Sequence, residues 1–161
     1  MKRIFMTNII KSYIMAAILL LLTAVPTSAQ IIKENNCFIN ITATEFMERF
    51  LDNTLEEPEY KTPEKKTVIH LYANWAGPCR SFHPKLEQYA KSHPDYDYYA
   101  LDVSHYNDIP ESERSLREWL FNYFRGVPTV LLGRPDGSWS YFRGDVDEPE
   151  LTKILNDFFS R

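Results

Sequence analysis

Seven residues, Thr67–Ala73 (TVIHLYA), run apolar and β-branched and then stop at Asn74-Trp75-Ala76-Gly77-Pro78-Cys79. An apolar run of this length without polar alternation reads as a strand buried on both faces, the kind that parallel sheets contain. The Gly-Pro pair turns the chain. Cys79–Ser92 then reads as a helix, although Pro84 lies inside it. A buried strand delivered through so short a turn into a helix excludes all-β and all-α architectures for this part of the chain and points to an α/β layer fold.

The five residues W-A-G-P-C resemble W-C-G-P-C, the active-site signature of the thioredoxin family, with Ala76 in place of the first cysteine. The resemblance continues downstream. Pro84, five residues after Cys79, matches a family proline that kinks the helix. Gly126-Val127-Pro128-Thr129 matches the family's cis-proline loop and implies a cis Val127–Pro128 bond, followed by a strand over Val130–Gly133. Asp136-Gly137 is a hairpin turn signal, Ser138–Arg143 reads as the second hairpin strand, and Gly144 falls where the family has a glycine near the active-site groove. Asp147–Phe159 reads as a terminal helix with an Asp147…Glu150 capping pattern. The likeness spans about Asn35–Phe159.

The remaining segments fit the same plan. Cys37–Ile41 reads as the first strand. Thr42…Glu45 is a capping box, with Phe46, Met47, Phe50 and Leu51 following at helical spacing. Glu56–Lys66 (EEPEYKTPEKK) is charged, contains Pro58 and Pro63, and reads as an exposed loop. Tyr96–Val103 reads as a central strand, and Ser112–Phe124 as an amphipathic helix bearing Leu116, Trp119, Leu120, Tyr123 and Phe124 on one face. The expected fold is α/β: a thioredoxin fold, with a mixed sheet, helices on both faces and an antiparallel final hairpin.

Ahead of it, Lys2, Arg3 and Lys11 precede the apolar stretch Ile14–Leu22, then Pro26 and the small residues Thr27-Ser28-Ala29. This reads as a secretory signal over residues 1–29, cleaved after Ala29. The alternative is an uncleaved anchor, but the apolar run falls short of the roughly 20 residues a span needs. The domain then covers residues 30–161, and the protein is expected to be exported, periplasmic or extracellular. Loss of the three basic residues leaves 15 Lys and Arg against 22 Asp and Glu, a net charge of −7. An acidic domain without a basic cluster is a poor nucleic-acid binder. The expected partner is a polypeptide or protein, with membrane contact only through an uncleaved signal segment.

Cys37 and Cys79 are the only cysteines. The predicted topology sets them at opposite ends of the sheet, beyond the reach of about 7 Å between Cα atoms that a disulfide allows.

In the thioredoxin family the first cysteine attacks and the second resolves the mixed disulfide, and exchange needs both sulfurs. The resemblance therefore implies a site that has lost this cycle. It also implies that His70 stands where the family has a buried acid, and that Ala100 stands where many members carry a lysine. Two uses of the site remain open. Trp75, Ala76, Gly77, Pro78, Val127, Pro128 and Gly144 would line a shallow groove that binds extended polypeptide by strand addition. Alternatively, Cys79 and His70 would be catalytic, as a Cys–His pair activating a single sulfur. A third reading is an accessory domain that docks through Ser112–Phe124. A metal would have to recruit His70, Cys79 and His83. With no fourth ligand evident and His83 expected to face elsewhere, no metal or cofactor is assigned.

Overall fold

The computed structural model describes residues 37–52, 59–105, 118 and 126–161. The signal segment, the polar leader, residues 53–58 and all of the predicted Ser112–Phe124 helix except Glu118 lie outside the described residues. Strand β1 (Ile39–Ile41) leads directly into helix α1 (Ala43–Phe50). The helix starts here because Thr42 accepts from the Glu45 backbone N–H while the Glu45 carboxylate accepts from the Thr42 N–H at 2.8 Å. Two of the donors that a helix start leaves unpaired are satisfied at once. The two bonds from Thr42 also hold the Glu45 carboxyl below its ordinary pKa.

Leu51 does not continue the helix as the spacing predicted. It opens β2 (Leu51–Asp52), which pairs antiparallel with β3 (Glu59–Tyr60), so part of the predicted charged loop is a short strand. Tertiary contacts hold it in place. Tyr60 stacks on the Trp139 ring at 4.7 Å, and Trp139 Nε1 donates to the Lys61 carbonyl at 3.0 Å. Strand β4 (Thr67–Tyr72) follows, then helix α2 (Gly77–Ser92), β5 (Asp97–Asp102), β6 (Thr129–Gly133), β7 (Trp139–Arg143) and helix α3 (Glu148–Phe159).

The five-stranded sheet has the order β1-β5-β4-β6-β7. The β1–β5 and β5–β4 pairs are parallel, whereas β4–β6 and β6–β7 are antiparallel. Alternation along the strands divides the core in two. On one face Val68, Tyr98, Ala100, Val130 and Leu132 pack with Phe82 and Leu86 of α2 and Leu151, Leu155 and Phe159 of α3. On the other, Ile69, Leu71, Tyr99, Leu101 and Leu131 pack with Phe46 and Phe50 of α1. Each such fully buried side chain contributes about 1.5–3 kcal/mol relative to exposure. His70 belongs to the α2 face, in one register row with Asn40, Ala100, Val130 and Phe142.

The β6–β7 hairpin turns at Gly137, whose φ of +85° favours glycine. Helix α3 is capped by Asp147, which accepts from the Glu150 N–H at 2.9 Å. Cys37 is half-buried, Cys79 is buried, and both thiols are free.

Candidate functional site

The site is built where β4 ends. Ala73 accepts from the Ala76 N–H at 3.0 Å, which closes the turn over Asn74 and Trp75. Asn74 is fixed from both ends: its N–H donates to Ser104 Oγ at 2.7 Å and its amide to Asp102 Oδ2 at 2.5 Å. Arg80 reaches back from α2 and donates to the carbonyls of Asn74 and Trp75. With its backbone pinned, Trp75 presents its indole to solvent at 71% exposure. Neither the Asn74–Asp102–Ser104 cluster nor the Arg80 clasp was anticipated from sequence. The signal available was only the adjacency of Asn74 to Trp75.

Helix α2 begins at Gly77 and Pro78, two residues earlier than the sequence suggests. Pro is tolerated there because the N–H groups of the first turn have no intrahelical acceptor, so the one that proline lacks breaks no helix bond. Ala76 is the N-cap, with extended φ −81° and ψ 116°, and its side chain makes no capping bond. Its methyl is buried with Ala73 and Cys79 in a small apolar cluster, against which Tyr72 and Val127 pack.

Burial pushes the Cys79 thiol above its ordinary pKa. A backbone bond to Ala73 and the Arg80 charge oppose the shift, while Asp102 adds to it. The raised thiol is the reverse of what an activated nucleophile requires.

Facing the helix start is the 126–129 loop, whose Val127 packs against the Ala73, Ala76 and Cys79 cluster. The Val127–Pro128 bond is cis. Thr129 Oγ1 donates to the Gly126 carbonyl at 2.6 Å, and the Pro128 carbonyl accepts from the Gly144 N–H at 2.9 Å. Gly144 has φ +97° and open space around the position a Cβ would take. Val127 makes no main-chain hydrogen bond with another described residue. The residue after Gly144, Asp145, ties this rim to α2. It accepts from Ser81 Oγ and Lys85 Nζ, each at 2.5 Å, and these bonds, Lys85 first, hold its carboxyl below the ordinary range.

Behind the groove, one expectation is corrected. His70 is fully buried on β4, but its hydrogen bond goes to His83 and not to Cys79: the two Nδ1 atoms are 3.2 Å apart. Their rings stack at 5.4 Å and 21°. His83, expected to face elsewhere, turns inward because it stands one helical turn beyond Cys79 on the face that covers β4. Its other nitrogen, Nε2, lies 3.4 Å from Glu87 Oε1. Burial, and then the His83 charge, press His70 down to a pKa of about 3, so it is neutral at ordinary pH. A concavity of about 380 Å³ brings Cys79 and His83 together with Tyr72, Asn74, Arg80 and Asn40. Among the described residues no group of three His, Cys, Asp or Glu side chains is arranged to hold a metal.

A mixed five-stranded sheet, a Gly-Pro-Cys helix start and a facing cis-proline loop define a thiol-site α/β protein, here with one site sulfur. The family model named Thioredoxin matches residues 41–157, and the chain belongs to the thioredoxin family. Thioredoxin of Mycoplasmoides gallisepticum is 31% identical over 108 residues, 66% of this chain and 98% of that protein. Thioredoxin of Borreliella burgdorferi is 25% identical over 122 residues, 75% and 97% of the two chains. Among solved structures, the oxidized form of mitochondrial thioredoxin 3 from Saccharomyces cerevisiae matches with a TM-score of 0.51 at 23% identity. That match covers 76% of this chain and 97% of the other, and is a likeness of fold.

Proposed function

We propose that this is an exported thioredoxin-like protein that holds extended polypeptide in the groove between Trp75 and cis-Pro128 and does not run a dithiol–disulfide cycle. The observation that carries the reading is the contrast at the helix start. Trp75 is exposed and Val127 packs against the helix start, while a buried methyl at Ala76 stands where the family resemblance puts the attacking sulfur and the remaining thiol is buried with its pKa raised. Disulfide exchange by the family route needs a second site sulfur to release the first mixed disulfide, and Cys37 and Cys79 are both free, with no bond between them. Binding needs no sulfur. An exposed indole supplies apolar contact area, and the main chain of Val127, which bonds no other described residue, can pair with an added strand. Export is supported by the basic start, the short apolar run and the small residues before Gln30.

Carboxymethylated insulin B chain is an extended polypeptide that cannot form a mixed disulfide, and so tests binding apart from redox chemistry. The expected result is saturable binding by the mature protein, weakened by Trp75→Ala, with no catalysed reduction of intact insulin. Absence of binding together with thioredoxin-like insulin turnover would overturn the reading. N-terminal sequencing of exported material checks the cleavage after Ala29.

A further inference from the structure

The fold uses only part of Arg80. Its Nη1 donates to the Asn74 and Trp75 carbonyls at 3.2 and 3.3 Å. Nε and Nη2 find no acceptor, and no carboxylate pairs with the guanidinium, among the described residues. Lys85, further along α2, is by contrast closed on Asp145. Nε and Nη2 form the side edge of the guanidinium, a fork that matches the two oxygens of a carboxylate.

Arg80 lines the concavity of about 380 Å³ at the end of β4. Tyr72 lines it too. Its hydroxyl has no hydrogen-bond partner and is not among the enclosed polar atoms, so it is a donor open to an incoming group. Burial, and then Asp102, hold that phenol above its ordinary pKa, which keeps its proton in place. Asn40 adds an exposed amide without a partner among the described residues. Ala73, Pro84 and Cys79 supply apolar wall, and neither Asp nor Glu lines the space among the described residues. A mostly apolar hollow with a few polar groups, at the lower end of the usual range of about 300–1,000 Å³, is how small-molecule sites are built.

Two carboxylates stand close by and narrow the ligand. Asp102 already accepts from Asn74 Nδ2 and from the N–H and Oγ of Ser104. Glu87 lies beside His83 Nε2. Their charges oppose long-range attraction of an anion, so a bare ion is held poorly and a doubly charged phosphate is disfavoured most. Recognition then rests on direct contact: one carboxylate on the free fork, and an apolar body against the wall.

We propose that the concavity between β1, β4 and α2 binds a small carboxylate with an apolar body, held by the Nε–Nη2 edge of Arg80 and the Tyr72 hydroxyl. Asn40 lies on β1 and Pro128 leads into β6, on opposite sides of β4 in the sheet order. The site is therefore distinct from the groove and does not depend on polypeptide binding there.

The test is a titration of benzoate into the nitrogen-15-labelled protein at neutral pH and constant ionic strength, with benzamide as the uncharged control of the same shape. The expected result is saturable shifts at the Asn40 and Tyr72 amides and at the Arg80 Nε–H, with the Trp75 indole and Gly144 unmoved. Benzamide should bind at least about tenfold more weakly. Arg80→Lys keeps the charge and loses the fork, and should weaken benzoate by at least about tenfold. Because Arg80 also clasps the Trp75 turn, Tyr72→Phe is the cleaner variant, with an expected loss of at least about threefold. Shifts that do not saturate, equal binding of benzamide, shifts centred on Trp75, or unchanged affinity in both variants each overturn the site. N-acetylphenylalanine separates two sources of the carboxylate. Binding tighter than benzoate supports the site as one for the C-terminus of a polypeptide, and binding no tighter supports it as one for a free small carboxylate.

Discussion

The rim of the groove and the layer beneath it have kept different things. At the rim, the Trp75 turn, the Gly-Pro helix start, the cis-proline loop and Gly144 are assembled by main-chain bonds, such as Ala76 N–H to Ala73 and Gly144 N–H to Pro128. Side chains add to this scaffold: Asn74 bonds Asp102 and Ser104, Arg80 clasps the Asn74 and Trp75 carbonyls, and Asp145 ties Gly144's end to α2. Beneath the rim, buried His70 meets a second imidazole, His83, that enters from α2. Proton handling in this layer depends on side-chain identity, and the family resemblance implies an acid and a lysine where this chain has His70 and Ala100. The rim is held by many main-chain and side-chain bonds together, whereas the layer beneath turns on the identity of two imidazoles.

The sharpest way to test that separation is to return the sulfur. The unmodified chain should show no catalysed insulin reduction, and Ala76→Cys should turn over measurably while remaining short of an ordinary thioredoxin by roughly 10²-fold, the order of one lost acid–base group. A variant that reaches full family rates shows that the layer beneath is chemically irrelevant. One that gains nothing shows that the rim is not intact after all.

The second test concerns the layer itself. His70 has its pKa lowered from 6.5 to about 3 by burial and then by the His83 charge. Because the unfolded chain takes up this proton first, His70 contributes stability that is present above about pH 6.5 and is lost as pH falls toward its folded pKa. By pH 4 the loss should be on the order of 3 kcal/mol. Urea titrations across this range should show the slope, and His70→Phe should remove most of it.

Trp75→Ala probes the rim from the solvent side. Its indole is 71% exposed, so stability should stay within about 0.5 kcal/mol of the parent. Affinity for carboxymethylated insulin B chain should fall at least about tenfold, as for an interface anchor. Equal losses in both would make Trp75 a packing residue. The smallest expected effect is at Gly144, where φ is +97°. Gly144→Ala should cost about 1 kcal/mol by thermal melting, through backbone strain alone, since a methyl there meets no neighbour.

Much of this was legible in the sequence where the cause is local. The Thr42–Glu45 box works across four residues, and the Thr67–Ala73 run needs only its own composition to declare a buried strand. The Gly77–Pro78 helix start and the cis Val127–Pro128 bond were recognisable because short backbone motifs specify them. What escaped depends on partners distant in sequence. The two residues of β3 are held beside Trp139, about 80 positions away, and nothing in a charged, proline-bearing stretch reports that. His83 was assigned to the wrong surroundings because helical spacing tells which face a residue shares, and says nothing of how far an imidazole reaches across to a neighbouring strand. Its tie to His70 required the register that lays α2 over β4.

The bonds from Ser81 and Lys85 to Asp145 join positions 64 and 60 residues apart. One wall of the groove is therefore synthesised long before the other. A chain emerging from the ribosome would complete β4 and the first turn of α2 while the Pro128 loop, Gly144 and Asp145 were still unmade. Long-range closures of this kind come at an entropic cost that local turns avoid. Contact between the two ends is thus a late product of folding, and a chain ending before β6 retains the Trp75 turn with no Pro128 loop to face it.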